Sequence, residues 1–121
     1  MKSTRIPTIL ATTLILALGA CSGSQESSAP AGQAVAANTM IIDVRSQQEW
    51  DTGHIDNATL IPHTEIAARI AAVAPDKNQP IALYCRSGGR AGKAKAELEA
   101  MGYTHVENWG GIADARARLG Q

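Results

Sequence analysis

The chain has 121 residues, with 11 Lys plus Arg against 11 Asp plus Glu, so it has room for one small domain and not for two. A balanced charge gives no global basic field to hold nucleic acid, and no nucleic-acid partner is expected. Aromatic residues are scarce (Trp50, Tyr84, Tyr103, Trp109 and no Phe), so the core must come from Ile, Leu, Val and Ala.

Lys2 and Arg5 precede an apolar run from Ile6 to Ala20, too short for a comfortable membrane span and flanked like a secretory signal. Residues 1–20 are therefore expected to be a signal peptide. The run ends Leu18-Gly19-Ala20-Cys21, which resembles a bacterial lipobox. The resemblance implies that Cys21 is lipidated and anchors the protein to the membrane of the cell envelope. Ser22 after it points to the outer membrane by likeness to the enteric sorting rule. The alternative is an ordinary signal peptide cut after Ala20, leaving Cys21 a free thiol. Cleavage there removes Lys2 and Arg5 and no acid, leaving nine basic and eleven acidic residues.

Residues 21–38 are rich in Ser, Ala, Gly, Gln and Pro and read as a flexible tether. The domain is expected over 39–121. Met40 to Val44 is a short buried strand. Ser46-Gln47-Gln48-Glu49 has capping-box spacing and opens a brief helix that Gly53 can end. Ala58 to Ile61 is a second strand, stopped by Pro62. Thr64 is expected to cap a helix to about Ala74, with Ile66, Ile70 and Val73 on one face. Ile81 to Tyr84 is a third strand. A helix is predicted over Ala91 to Met101, burying Ala91, Ala94, Leu98 and Met101, with Gly102 as its stop. His105 to Asn108 reads as a last strand, Trp109-Gly110-Gly111 as a turn, and Ala113 to Leu119 as a final helix.

Strands and helices alternate, and the strands are short apolar runs. That pattern predicts an α/β fold, a parallel sheet with helices on both faces. Ligands of such sheets bind beyond the carboxyl ends of the strands. Cys85 falls there, in Tyr84-Cys85-Arg86-Ser87-Gly88-Gly89-Arg90-Ala91. Gly88 and Gly89 let the backbone curl and turn its N–H groups inward. Inward N–H groups, two arginines and a helix N-terminus all favour the thiolate. A lone cysteine after a strand is ordinarily an inert core residue. Here Arg86, Arg90, Lys93 and Lys95 place four cations and no anion within residues 86–95. If Cys21 is lipidated, Cys85 has no partner for a disulfide. His63 and His105 have no ligand spacing, so no metal is expected, nor any cofactor.

Asp43-Val44-Arg45, Glu49-Trp50, Gly53-His54-Ile55 and Ala58 to Pro62 resemble the first signature of rhodanese domains. Cys85-Arg86-Ser87-Gly88-Gly89-Arg90, the helix after it, Gly102-Tyr103 and Gly110-Gly111 resemble the second. Val73 to Lys77 and Met101 to Asn108 look like the small exported thiosulfate sulfurtransferases of that family.

The resemblance implies a single rhodanese-like domain and a persulfide cycle. The Cys85 thiolate would take the outer sulfur of thiosulfate and pass it to cyanide or another thiophilic acceptor. Arg86, Ser87, Gly88, Gly89 and Arg90 would bind the anionic donor, though one arginine could instead only brace the loop. Asp43, Arg45 and His54 are expected to support the site structurally, and a monomer is expected. Asn57 stands where the family has Gly, and Asn tolerates the left-handed region the turn needs.

Two rivals remain open at this point. Phosphatases and arsenate reductases on the same scaffold have five residues between Cys and Arg, whereas Cys85 and Arg90 have four between them. The smaller ring suits a single sulfur atom. The other rival is a lipid-anchored persulfide carrier or stress-response binding module that does not turn over.

Overall fold

The computed structural model describes residues 35–121. The expected signal peptide, Cys21 and most of the expected tether lie outside the described residues. Strands β1 (Met40–Asp43), β2 (Ala58–Leu60), β3 (Ile81–Cys85) and β4 (Val106–Gly111) alternate with helices α1 (Gln47–Asp51), α2 (Ile66–Val73), α3 (Gly89–Ala100) and α4 (Ile112–Leu119). The four strands form one parallel sheet in the order β2-β1-β3-β4. The expected α/β architecture is therefore what the chain adopts.

Successive strand side chains point to opposite faces, and the core divides accordingly. Ile42, Val44, Ile81, Leu83 and Cys85 share one face with Ile66 and Ile70 of α2 and Ala91, Ala94 and Leu98 of α3. Ile41, Ala82 and Tyr84 share the other with Trp109, Ile55 and Ala115 of α4. Fully burying an isoleucine side chain contributes about 1.5–3 kcal/mol, so Ile42, Ile61, Ile66 and Ile70, each fully buried, hold α2 and the sheet together. Val35 also packs on the second cluster, so the last few residues assigned to the tether by composition lie against the domain.

The capping box forms as its spacing predicts. Ser46 Oγ accepts the Glu49 N–H, and Glu49 reaches back to the Ser46 N–H. Asn57 adopts the left-handed region, with φ 66°.

Other expectations are corrected. Thr64 does not cap α2. The Glu65 N–H donates to the Pro62 carbonyl, and that turn delivers Glu65 to the helix N-cap in a right-handed helical conformation with no side-chain cap. A capping side chain needs an extended backbone there. Helix α3 starts at Gly89 rather than Ala91, because Gly88 at φ 93° turns the chain straight into it. Met101 is the C-cap, half-buried. The last strand starts after His105 and runs on through Trp109, Gly110 and Gly111, which form no turn. The register with β3 shifts between Leu83 and Cys85, and Gly110 at φ 80° absorbs the irregularity. Pairing is thereby carried to Cys85 opposite Gly111.

Candidate active site

Cys85 is the last residue of β3, the strand flanked by β1 on one side and β4 on the other. Three residues, Arg86 to Gly88, connect it to α3. The Gly88 N–H donates to Cys85 Sγ at 2.9 Å. Burial pushes the thiol up, but the N–H groups of Ala91, Ser87, Gly88 and Arg90 pull it down by more, and the net pKa lies below the ordinary thiol value. Main-chain dipoles, gathered by a tight loop and the first turn of a helix, thus favour the thiolate. Cys85 is only 1% exposed, so a reacting atom must reach it through this loop.

The loop rests on β4. Asn108 Nδ2 donates to the Gly88 carbonyl at 3.0 Å, and Asn108 Oδ1 accepts the Gly110 N–H at 2.8 Å. A Cβ on Gly88 would lie 3.1 Å from Gly110 Cα, and one on Gly111 would lie 2.5 Å from the Arg86 carbonyl oxygen. The loop can adopt this path only because the loop at Gly88 and β4 at Gly110 and Gly111 present bare backbone to each other. Sequence reading missed Asn108, and it placed Gly110 and Gly111 in a turn, not behind the loop. A Gly-Gly pair carries no mark that separates a turn from a close approach.

The two arginines differ. Arg86 is exposed, and no carboxylate pairs with it among the described residues. Arg90 is half-buried and forks onto Glu49, with Nη1 to Oε2 at 2.6 Å and Nη2 to Oε1 at 2.7 Å. Each group holds the other charged, so the Glu49 carboxyl falls well below the usual range and the Arg90 guanidinium rises. The cation cluster of residues 86–95 therefore has an anion after all, from 41 residues away. Ser87 and Gly89 are exposed at the rim.

Beneath the loop, Asp43 is fully buried and accepts from the Arg45 N–H at 2.9 Å and from Arg45 Nη2 at 2.7 Å. Arg45, 5% exposed, also donates to the Gly53 carbonyl at 2.7 Å. This buried pair fastens the turn after α1 to the end of β1. His54 is exposed and stacks on Trp50 with ring centroids 3.6 Å apart, its Nδ1 3.1 Å from the Trp50 carbonyl. Trp109 is core and donates from Nε1 to Glu107. No group of three His, Cys, Asp or Glu side chains suited to a metal ion occurs among the described residues.

A thiol at a strand end, a short loop of inward N–H groups and two ordered signatures are joined by comparison with known proteins. The Rhodanese-like domain family matches residues 27–114. The chain belongs to that family. It is 47% identical over 73 residues to the thiosulfate sulfurtransferase PspE of Escherichia coli K12, spanning 60% of this chain and 70% of that one. It is 34% identical over 83 residues to a sulfurtransferase of Allochromatium vinosum, spanning 69% and 76%. Among solved structures, a rhodanese with anions from E. coli superposes with a TM-score of 0.61 at 45% identity, covering 63% of this chain and 89% of that one. The rhodanese match starts at residue 27, inside the stretch that composition reads as a tether.

Proposed function

We propose that this rhodanese-like protein is a thiosulfate sulfurtransferase with Cys85 as its nucleophile. The observation that carries the reading is the set of main-chain N–H groups that holds the Cys85 thiol below its ordinary pKa. The thiolate attacks the outer sulfur of thiosulfate. A sulfur–sulfur bond to Cys85 forms, the bond within thiosulfate breaks, and sulfite leaves with its electron pair. Cyanide or another thiophilic acceptor then attacks the terminal sulfur of the persulfide, and the Cys85 thiolate is regenerated.

Several features support the roles proposed around Cys85. The N–H groups that stabilise the thiolate can equally receive the charge of a persulfide. Arg86, exposed at the loop's start, offers a guanidinium to the sulfonate oxygens of the donor. Arg90, engaged with Glu49, fits the bracing role. Asp43 and Arg45 fix the floor. The near-complete burial of Cys85 favours a small acceptor over a protein one, and so favours turnover over a carrier role. The similarity to a thiosulfate sulfurtransferase and a sulfurtransferase agrees with the choice of donor. The pattern of residues 1–21 suggests export and lipid attachment at Cys21 in the cell envelope, which incorporation of labelled palmitate would test.

The deciding experiment is intact-mass analysis after reduced protein meets thiosulfate. Cys85 should gain the mass of one sulfur atom while sulfite appears, and cyanide should remove that sulfur as thiocyanate. No adduct and no thiocyanate would exclude the reading, whereas an adduct discharged only once would favour the carrier.

A further inference from the structure

Arg90 touches the site at both of its ends. Its backbone N–H acts on the Cys85 sulfur, and its guanidinium is held in a two-bond fork by Glu49. Glu49 is itself fixed, because its Oε2 also accepts the Ser46 N–H and hydroxyl at 3.0 Å. Helix α1, which carries Glu49, buries no side chain of its own. Polar ties, not apolar packing, set where this carboxylate stands. The anions facing the Arg90 guanidinium are Glu49, the Cys85 thiolate and the buried Asp43. Asp43 is already engaged by Arg45. Two anions thus compete for one guanidinium, and in the structure Glu49 holds it.

We propose that Glu49 is a positioning residue that keeps the Arg90 guanidinium away from the Cys85 sulfur. The proposal rests on Cys85 being the nucleophile. A thiolate clasped by a guanidinium is more acidic but a poorer nucleophile, since nucleophilicity falls as thiol pKa falls. With Arg90 occupied by Glu49, main-chain N–H groups are the chief cause that ionises the sulfur, and Arg86 is left to meet the donor. Glu49 therefore trades some donor affinity for a faster attack.

A merely structural role for Glu49 predicts the opposite sign. Loosening the loop would draw the Arg90 N–H off the sulfur, raising the thiol pKa and the KM. The test is Glu49→Gln in the full chain, a change that keeps a capping-box residue at this position. The pH dependence of iodoacetamide alkylation reads the thiol directly, whether or not thiosulfate proves to be the donor. Its inflection should move to lower pH by about half a unit to one unit, as expected when a nearby anion is removed and a cation freed. Sulfite release at saturating thiosulfate should slow by about threefold per unit of that fall, while KM for thiosulfate decreases. In an Arg90→Gln background the same substitution should move the inflection by less than half as much. An inflection at or above the parent's in Glu49→Gln, or an equal move without Arg90, would overturn the proposal. Should Glu49→Gln not fold, Glu49→Asp keeps the charge but slackens the fork, and a smaller downward move is then expected; no downward move refutes it. If the wild-type chain takes no sulfur from thiosulfate, the donor assignment fails, yet the alkylation result still decides the role of Glu49.

Discussion

The Tyr84 hydroxyl accepts the backbone N–H of Ile55 at 3.1 Å, both residues being fully buried. Tyr84 precedes Cys85 in β3 and points to the opposite face of the sheet. The residue before Cys85 thus fastens the segment that follows α1. Burial, partly offset by the Ile55 N–H, pushes the phenol up to about 12, and Asp43 adds to the rise.

Tyr84→Phe should destabilise the fold by about 1–3 kcal/mol, because it leaves the Ile55 N–H buried without an acceptor. Urea unfolding at neutral pH measures this. The wild-type chain should also lose stability in alkali. A folded pKa above the unfolded value of about 10 contributes stability fully below about pH 10, lost as pH rises through about 12. The Phe variant should lack that part of the alkaline loss. Equal midpoints at neutral pH would remove the structural role given to the hydroxyl.

Cys85→Ser should fold normally and take up no sulfur from thiosulfate, since a hydroxyl has neither the acidity nor the polarisable atom. In the wild type, the thiolate fraction falls only as pH drops through a folded pKa that the main-chain N–H groups hold below the ordinary thiol value. Alkylation should therefore stay rapid at pH values where a free cysteine has slowed. Rates that track a free cysteine at every pH would contradict the activated thiol.

Arg86→Ala should leave unfolding unchanged, because the side chain is exposed. Charge-assisted hydrogen bonds contribute about 1.5–3 kcal/mol, so KM for thiosulfate should rise by about tenfold to a hundredfold. Wild-type kinetics in this variant would mean that Arg86 does not meet the donor.

Gly111→Ala puts a methyl 2.5 Å from the Arg86 carbonyl oxygen. Loop or strand must then move, at a cost of about 1–3 kcal/mol, and the N–H groups should no longer converge on the sulfur. Both a lower unfolding midpoint and a thiol inflection nearer the ordinary value are expected. An unaltered inflection would show that β4 does not shape the loop.

What the sequence revealed and what it hid divide along physical lines. Cys85 at a strand end, the Ser46–Glu49 capping box and the left-handed Asn57 are encoded within a few residues, and each was legible. Asp43 and Arg45 stand two residues apart, and their place in a signature marked them as structural. The Glu49–Arg90 fork and the Tyr84–Ile55 bond join residues 41 and 29 positions apart. Nothing local to Glu49 beyond its cap role announces a partner across the site. Thr64 misled because its type suits a cap while the Pro62 turn denies it the backbone. Gly110 and Gly111 misled because bulge, turn and close contact all ask for the same residue.

The activation of the proposed nucleophile is written in peptide groups: the N–H groups of Ser87, Gly88, Arg90 and Ala91 exist whatever side chains those positions carry, proline excepted. Replacing Ser87 or Arg86 changes what the rim greets but deletes no N–H. Donor preference at the rim can therefore drift by point substitution while the sulfur keeps its acidity. Insertions and deletions in the loop, or bulk added at Gly111, have no such freedom, because they move every peptide dipole together.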